Sequence, residues 1–535
     1  METTKGHLTR ALIIVACAFA VRRFFFCGFI LGDDAQDFSM IKNIFLFRVD
    51  VTDQYHLRFG GWFFNYLFFK LFGISETTFF LPTWLLSSSL AAAAYALLVR
   101  WGYGATHAFL GGLFVASAPF EVLIGTVRAN DLFLAVALVT GVLSLVFLDR
   151  RPALQGGVLA LCFWFGLYVK VWAVYFLPGL FLYYVVGALR EKAWRGPSSF
   201  FVVSLLLHGV TSLYWKNTIG IFFPFIMYHP PTYPVAAQSL GAVFSFYPSM
   251  LFKGSEFGTT LFGVIPYLWV LLLSGKAIGM LLPRLRLNEL KLDRVDVGLL
   301  LVYGSFFLFL NFFPNSFTFD RYYSIQRIFR YMTPLSFPMT LHVAKMLCDV
   351  LRLRRTLPVW NGAAVPYALF ALLIVLNLLQ ANAATQPGRE YRHAFEAMLS
   401  DVRAERPVKL LAESWMGFFL RSLYLSDLAG QIPMLSSGVN SAKEYEAWLE
   451  AQQASLPVGS MLVTGLGGYV HYGTHFDGFK LNQFSRPLHA NWKLVREYGP
   501  LGHLPVPESA CLWRLSAPIP APVARPLPMI HTSAQ

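Results

Sequence analysis

Long apolar segments separated by short polar segments occupy most of the first 380 residues. A helix that crosses a membrane needs about 20 mainly apolar residues. By this measure the sequence contains eleven candidate spans, at roughly 11–31, 77–98, 105–125, 131–148, 153–169, 171–188, 198–219, 258–282, 296–314, 331–349 and 362–380. The pattern therefore predicts a polytopic α-helical membrane protein.

Two segments between these spans differ from ordinary loops. The segment 32–76 mixes charges with many aromatic residues, which predicts amphipathic helices in the membrane interface at about 38–47 and 59–72. The alternative is one additional, poor span at 57–73, which would reverse the side of every later loop. The loop 220–257 contains five prolines and is too proline-rich for a span.

The long apolar runs end before residue 385. After that point, helical stretches are expected at 390–404 and 442–453, and strands at 408–412 and 460–464. We therefore expect two parts, a transmembrane module at 1–384 and a small C-terminal α/β domain at 385–535.

Composition supports the membrane assignment, since only 13% of the residues are charged and 56% are hydrophobic. Soluble domains carry about 25% charged residues, so an ordinary soluble enzyme and a disordered chain are excluded. The net charge of +14 does not indicate nucleic-acid binding, because no basic cluster stands on a soluble segment.

The basic excess lies in the apolar part: residues 1–380 contain 30 Lys and Arg against 17 Asp and Glu, whereas 381–535 contain 13 and 12. With a cytoplasmic N-terminus, the inner loops hold 17 of these 30 basic residues, including Lys276 and Lys345. This agrees with the positive-inside rule. Eleven spans then place the C-terminal domain outside the cytoplasm.

The strongest candidate chemistry directly follows the first span, in Gly32-Asp33-Asp34-Ala35-Gln36-Asp37-Phe38. Two adjacent carboxylates at a membrane surface are costly unless they are solvated, paired or used. One of them could take a proton from an acceptor hydroxyl or amine, and the other could bind a cation or orient the first. The alternative is that Asp33 or Asp34 caps the following helix.

Basic residues at three further places could meet a phosphate. They are His56 with Arg58, Lys170 between the fifth and sixth spans, and Arg327 with Arg330 before the span at 331–349. Arginine binds phosphate through a bidentate fork. For His56, Arg58 and Lys170 the alternative is a side chain that snorkels to the interface.

Two further groups of charges complete the set. Arg128 and Asp131 open the fourth span, where the alternative is a local ion pair that caps the helix. Arg22 and Arg23 lie inside the first span and need partners, for which we expect Asp33 and Asp34. The acidic pair and the basic groups that follow the first span all fall on the outer side. A transport path would instead place charges at span centres and would often show paired halves, and neither pattern is recognised in the sequence.

Four motifs together resemble the C-type glycosyltransferase superfamily, and within it the protein O-mannosyltransferase and aminoarabinose-transferase branch. They are the Asp33-Asp34 pair, Tyr55-His56-Leu57-Arg58-Phe59-Gly60 followed by Leu71-Phe72-Gly73, Arg128 with Asp131, and Arg330-Tyr331-Met332-Thr333-Pro334. The resemblance covers roughly residues 10–350. This chain departs from the family in having Asp-Asp where Asp-Glu is frequent, and Gly60-Gly61 where prolines are frequent.

The resemblance implies an inverting transfer of a sugar from a polyprenyl-phosphate donor to a glycolipid, a cell-envelope polysaccharide or a protein. It implies Asp33 as the general base and Asp34 as the supporting carboxylate. The implied donor-phosphate ligands are His56, Arg58, Lys170, Arg327 and Arg330, with Arg128, Asp131 and Tyr331 as further substrate-binding residues. A divalent cation such as Mg²⁺ or Mn²⁺ would have Asp34 and Asp131 as candidate ligands, and no other cofactor is expected.

The resemblance also implies that the protein lies in the cytoplasmic (inner) membrane in contact with membrane lipids. It implies that the active site is on the extracytoplasmic face. Two other functions stay open, a flippase or transporter for lipid-linked sugars and an O-antigen-type polymerase. A polymerase should have a large outer loop rich in arginine, whereas the loop 220–257 has Lys253 as its one basic residue.

Overall fold

The computed structural model describes residues 4–29, 33–47, 54–191, 193–222, 240–252, 261–281, 292–312, 329–353, 364–412, 434–436, 456–464, 491–498 and 510–518. The chain divides into two compact units, one consisting mainly of Met1–Arg389 and the other beginning at Glu390. The sequence-based boundary at 384/385 stays a prediction.

The first part of the helical unit contains eight helices. They are α1 (Thr4–Phe24), α2 (Asp33–Leu46), α3 (Gln54–Leu57), α4 (Phe59–Phe72), α5 (Glu76–Arg100), α6 (Ala105–Ser117), α7 (Pro119–Thr126) and α8 (Asn130–Phe147).

Eight more helices follow. They are α9 (Pro152–Val169), α10 (Leu177–Glu191), α11 (Arg195–Ile219), α12 (Leu240–Phe252), α13 (Ile265–Leu281), α14 (Arg294–Phe312), α15 (Thr333–Leu353) and α16 (Ala364–Glu405). Short 3₁₀ turns at Val171–Phe176 and Phe329–Met332 precede α10 and α15.

Eight of the described helices are long and apolar enough to cross a membrane, or nine if α6 and α7 form one bent span. This agrees with the predicted polytopic helical membrane protein. The predicted spans 258–282 and 331–349 correspond to α13 and α15. Neither helix belongs to the eight, since α13 has only 17 residues and α15 carries several charges. The number of eleven spans therefore stays a prediction.

A break between α6 and α7 positions part of the candidate site. The two helices meet at an angle of 55°. Pro119 begins α7, and a proline there cannot donate the backbone hydrogen bond that would continue α6. After α7 the chain is extended from Val127 to Ala129 before α8 begins, which places Arg128 in a short link between two helices.

Helices α2 and α4 occupy the segment predicted to form interfacial helices. Each has 14 residues and is therefore about 21 Å long, less than the roughly 30 Å of a bilayer core. This length does not fit the alternative of an extra span at 57–73. Helix α4 buries Asn65 and Phe69 while exposing Phe63 and Leu71, as an amphipathic helix does. The placement in the interface stays a prediction.

The proline-rich segment 220–257 is not entirely a loop. It contains α12, and Pro248 lies inside that helix. The prolines argued against a span, and α12 agrees with this because its 13 residues are too short to cross a bilayer.

The prediction that Lys276 and Lys345 are inner-loop charges is wrong. They lie within α13 and α15, and both are buried. The Lys276 ammonium is 2.7 Å from Asp296 and 2.8 Å from Asp349, and that of Lys345 is 2.8 Å from Asp296. A buried lysine stays charged when carboxylates neutralise it, so this cluster joins three helices instead of marking a loop.

The C-terminal unit contains a mixed sheet of order β2-β1-β3-β5-β4. Its strands are β1 (Leu410–Ala412), β2 (Met434–Ser436), β3 (Met461–Thr464), β4 (Trp492–Tyr498) and β5 (Ala510–Leu515). β1 is parallel to β2 and β3, and β5 is antiparallel to β3 and β4. The predicted strands at 408–412 and 460–464 correspond to β1 and β3, and the helix at 390–404 is the end of α16. The predicted helix at 442–453 lies outside the described residues.

Candidate active site

The acidic pair lies where α2 begins. Asp33 is the first residue of α2, and its side chain is outside the described part of the structure. Asp34 is fully buried, with 0% of its surface exposed. One turn later, Phe38 packs against Phe29, Phe69 and Phe79 with ring centroids 5.2–5.8 Å apart. This aromatic packing fixes the first turns of α2.

Arg128 joins three helices around the acidic segment. Its Nη1 donates hydrogen bonds to Oδ2 of Asp37 in α2 and, at 2.7 Å, to Oδ1 of Asn130 in α8. Its Nη2 donates to the carbonyl oxygen of Gly61 in α4. The guanidinium also lies 5.1 Å from the ring centroid of Phe133. Both members of the Arg128–Asp37 pair are buried, so the pair holds α2 and α4 against the start of α8.

The glycines at 60 and 61 permit this close approach. A Cβ on Gly61 would lie 2.6 Å from Oδ1 of Asn130, and one on Gly60 would lie 2.8 Å from Cγ2 of Val169. Real Cβ atoms do not approach other atoms so closely, so a larger residue would push α4 away from α8 and α9. This close packing accounts for the glycines at positions 60 and 61.

Lys170 and Asp131 form the second buried ion pair of the site. Lys170 follows the last residue of α9, and its Nζ donates to Oδ1 and Oδ2 of Asp131 at 2.8 and 2.9 Å. The two side chains are 12% and 2% exposed. The same ammonium lies 4.2 Å from the ring centroid of Tyr331 and 4.7 Å from that of Trp172. Lys170 is therefore held by protein groups and does not snorkel freely.

These contacts correct one of the sequence-based alternatives. Arg128 and Asp131 were considered as one local ion pair, but Arg128 pairs with Asp37 and Asp131 pairs with Lys170. Tyr331, from the turn before α15, completes the second pair. Arg128 thus joins Asp37 and Gly61, and Lys170 joins Asp131 and Tyr331, with Arg128 and Asp131 three residues apart at the start of α8.

The remaining predicted phosphate ligands are described only in part. His56 lies in α3 and is buried, and its carbonyl oxygen accepts a 2.9 Å hydrogen bond from Nε1 of Trp62. Arg58 directly precedes α4 and is half-buried. Arg330 lies in the 3₁₀ turn before α15, and its side chain is outside the described residues, as is the whole of Arg327.

The expected partners of the arginines in the first span are also corrected. Arg22 donates to Oγ of Ser87 at 2.6 Å and to the carbonyl oxygen of Ala116 at 3.0 Å, and not to Asp34 as predicted. The structure adds a charge that the sequence reasoning missed, Glu121 in α7, which interacts electrostatically with Arg22. Arg22 needs such partners because a buried guanidinium must satisfy its donors within the protein.

Asp34 and Asp131 do not form a metal centre with their described neighbours. Within the described ranges, no group of three or more His, Cys, Asp or Glu side chains is arranged to hold a metal ion. Both carboxylate oxygens of Asp131 accept hydrogen bonds from Lys170, so its neutralising cation is an ammonium. We therefore derive no step of a mechanism through a metal.

An apolar pocket lies among α8, α9, α10 and α14. Gly166 and Ala173, which flank Lys170 in the sequence, both line it, together with Leu134 and Val302.

Sequence reasoning also missed Asp37, Asn130 and Trp172 as members of the cluster. Asp37 could have been recognised, because it follows Asp33 and Asp34 by four and three residues and shares a helix face with them. Asn130 and Trp172 carry no comparable local signal.

No protein-family model matches this sequence, and no curated protein matches it either. Among solved structures, the chain is similar to ArnT from Cupriavidus metallidurans in the apo state, at 15% identity and a TM-score of 0.51, over 84% of this chain and 92% of ArnT. A structure of the same ArnT bound to undecaprenyl phosphate aligns at 15% identity with a TM-score of 0.48, over 86% of this chain and 93% of that one. The similarity to the apo structure shows that this chain has an ArnT-like fold.

Proposed function

We propose that this protein is an integral membrane glycosyltransferase that moves a sugar from a polyprenyl-phosphate donor to an acceptor on the outer face of the cytoplasmic membrane. The acceptor is a glycolipid, a cell-envelope polysaccharide or a protein. The observation that carries this proposal is the junction of the acidic segment with a cationic cluster, through Asp37–Arg128 and Asp131–Lys170–Tyr331, in an ArnT-like fold.

In the proposed reaction Asp33 acts as the general base and takes the proton of the acceptor hydroxyl or amine. The acceptor oxygen or nitrogen attacks the anomeric carbon, and the bond between that carbon and the phosphate oxygen breaks. The polyprenyl phosphate leaves with the bonding electron pair, and the configuration at the anomeric carbon is inverted. Asp34, buried in the first turn of α2, orients Asp33.

The leaving phosphate gains negative charge as the bond breaks, so cations aimed at that position stabilise the transition state. Lys170 is the best-supported candidate, because its ammonium is fixed by Asp131 and two aromatic rings. His56, Arg58, Arg327 and Arg330 are the further candidates for this contact.

A transporter for lipid-linked sugars would need charges along a path through the spans. Contrary to the pattern recognised in the sequence, the described spans do contain buried charges, such as Glu121 and Lys276. Both interact with charged groups of the protein, Glu121 with Arg22 and Lys276 with two aspartates. Buried charges neutralised in this way favour a scaffold over a transport path.

Mass spectrometry of envelope glycolipids and proteins from cells that lack the gene tests the proposal. We expect the loss of a hexose, pentose or uronic-acid mass, which would also identify the donor and the acceptor classes. The wild-type gene should restore that mass, and genes carrying Asp33→Asn or Asp34→Asn should not. An unchanged set of glycans in the deletion cells, or full restoration by both variants, would overturn the proposed function.

A further inference from the structure

The segment that carries the acidic pair is tied at both ends to one short helix. Before the segment, Arg22 in the last turn of α1 donates to Oγ of Ser87, and that hydroxyl lies 3.5 Å from the carbonyl oxygen of Glu121 in the first turn of α7. After the segment, Asp37 in α2 pairs with Arg128, which follows the end of α7 by two residues. Helix α7 has only eight residues, so both ends of the acidic segment are fixed by the same rigid element.

The attachment at Arg22 is built from several buried contacts. Its Nε donates to Ser87 at 2.6 Å, and its Nη1 donates to the carbonyl oxygens of Ala116 at 3.0 Å and Ala18 at 3.1 Å. Arg22 and Glu121 are 1% and 3% exposed. The guanidinium therefore connects α1 to α5, α6 and α7 at one point.

The carboxylate of Glu121 continues the connection to a fourth helix. It interacts with the hydroxyl of Ser336, in the first turn of α15. Helix α15 begins directly after the turn that presents Tyr331 to Lys170. Glu121 is thus coupled electrostatically to Arg22 in α1 and to the first turn of α15.

The space around Arg22 leaves little freedom for a different arrangement. A Cβ on Gly125 in α7 would lie 2.8 Å from Nε of Arg22 and 2.5 Å from Oγ of Ser87. Beyond the end of α1, Sγ of Cys27 lies 3.5 Å from Oγ1 of Thr126, the last residue of α7. The chain leaving α1 therefore runs along α7 as far as its C-terminal end.

Stability alone does not require a charged pair at this point. Replacing a buried ion pair by apolar groups of similar volume is frequently neutral or stabilising. The hydrogen bonds of Arg22 to Ser87, Ala18 and Ala116 instead fix geometry, because hydrogen bonds are directional and apolar packing is not.

We propose that Arg22 and Glu121 are a positioning pair that holds the outer end of α1, and with it the acidic pair, in register with the cationic cluster. The two residues do not touch the substrate; they act through α7. This inference rests on the proposed function for its effect on catalysis, although the geometry it describes can be measured without any activity.

The first test measures geometry. In Thr126→Cys protein, mild oxidation with copper phenanthroline should join the new thiol to Cys27, and the linked peptides are identified by mass spectrometry. The double variant Arg22→Met with Glu121→Gln removes both charges and leaves no buried charge unpaired. We expect it to keep its thermal unfolding midpoint within a few degrees and to form the disulfide at least fivefold more slowly. An unchanged rate of disulfide formation would overturn the proposal.

The second test measures catalysis with a matched pair of glycine variants. Gly125→Ala crowds Arg22, whereas a Cβ on Gly209, in α11, meets no atom within 4 Å. Displacing a catalytic group by about 1 Å can cost roughly a hundredfold in rate. We expect Gly125→Ala to lower kcat at least tenfold with the donor KM within twofold of wild type, and Gly209→Ala to change neither constant. Equal kcat values for the two variants would contradict the positioning role.

The two tests separate this inference from the proposed function. If the wild-type protein transferred no sugar, the proposed function would fail, and the rate of disulfide formation would still decide whether Arg22 and Glu121 set the position of the chain. If transfer is observed and the double variant keeps both the wild-type kcat and the wild-type rate of disulfide formation, only the positioning role is wrong.

Discussion

The buried pair of Lys170 and Asp131 allows a structural role to be separated from a role in donor binding. Three variants are needed: Lys170→Met, Asp131→Asn, and the two combined. Methionine keeps much of the lysine volume, and asparagine keeps the shape of aspartate, so each change removes mainly charge. If Lys170 also contacts the donor phosphate, stability and activity will respond differently to the double change.

The expected size of the stability effect follows from the burial of the pair. The Asp131 side chain is 2% exposed and accepts two hydrogen bonds from Lys170, at 2.8 and 2.9 Å. Removing one partner of a buried pair costs about 3–5 kcal/mol, because the other charge is left uncompensated. Lys170→Met should therefore lower the free energy of unfolding by about that amount. The double variant has no unpaired charge and should recover most of the loss.

The expected size of the activity effect follows from the proposed phosphate contact. A hydrogen bond to a charged group contributes about 1.5–3 kcal/mol, so its loss should lower kcat/KM for the donor roughly ten- to a hundredfold. We expect this loss in Lys170→Met and, undiminished, in the double variant. The stability returns in the double variant, but the cation that meets the phosphate does not.

The assay combines denaturant unfolding of the purified protein in detergent with transfer from a polyprenyl-phosphate sugar at varied concentration. Gly209→Ala serves as a control, because it lies away from the pair and meets no neighbouring atom. If the double variant recovered both stability and donor kcat/KM, Lys170 would be a structural residue only. If Lys170→Met did not alter stability, the assignment of a buried pair would be wrong.

Asp37→Asn should destabilise the protein by about 3–5 kcal/mol, and adding Arg128→Met should restore most of that loss in the same unfolding assay; no recovery would refute the pairing. Arg330→Ala should lower donor kcat/KM about ten- to a hundredfold and Arg330→Lys should rescue it only partly, since lysine lacks the bidentate fork; unchanged kinetics in both would remove Arg330 from the phosphate site. Lys345→Met should lower the unfolding midpoint because it leaves buried aspartates less compensated, with donor KM unchanged; a raised KM at full stability would contradict a scaffold role. A reporter enzyme that works only outside the cytoplasm should be active when it is fused after Gln535. Activity of a reporter that works only in the cytoplasm, fused at the same place, would overturn the predicted sidedness.

The hydrophobic pattern predicts the helical architecture well because the signal is local. Each predicted span corresponds to a helix or a bent pair of helices among the described residues, and the ends differ by several residues in most cases. Periodicity could not predict that Pro119 bends one span, since a proline can begin a new helix or end a span with equal ease. Strands β2, β4 and β5 were missed, because short strands in a mixed sheet have little pattern of their own.

The sequence predicts which residues belong to the candidate site better than it predicts which of them form ion pairs. The motifs identified Arg128, Asp131 and Lys170. Arg128, however, pairs with Asp37, 91 residues away in the sequence, and Lys170 pairs with Asp131, 39 residues away. A contact between distant residues leaves no local trace in one sequence. Lys345 and Asp349 are the exception, because they pair at i and i+4 on one helix and this spacing is visible in the sequence.

The central claim is that Asp33 and Asp34 serve a transfer from a polyprenyl-phosphate sugar. Its most direct test reconstitutes the purified protein into lipid vesicles with radiolabelled polyprenyl-phosphate hexose or pentose, and uses an envelope extract from the deletion cells as the source of acceptor. We predict label transfer by the wild-type protein, with at least a hundredfold loss in Asp33→Asn or Asp34→Asn at unchanged unfolding midpoints. Nucleotide sugars should give no transfer. Full transfer by both variants, or transfer from a nucleotide sugar alone, would contradict the claim.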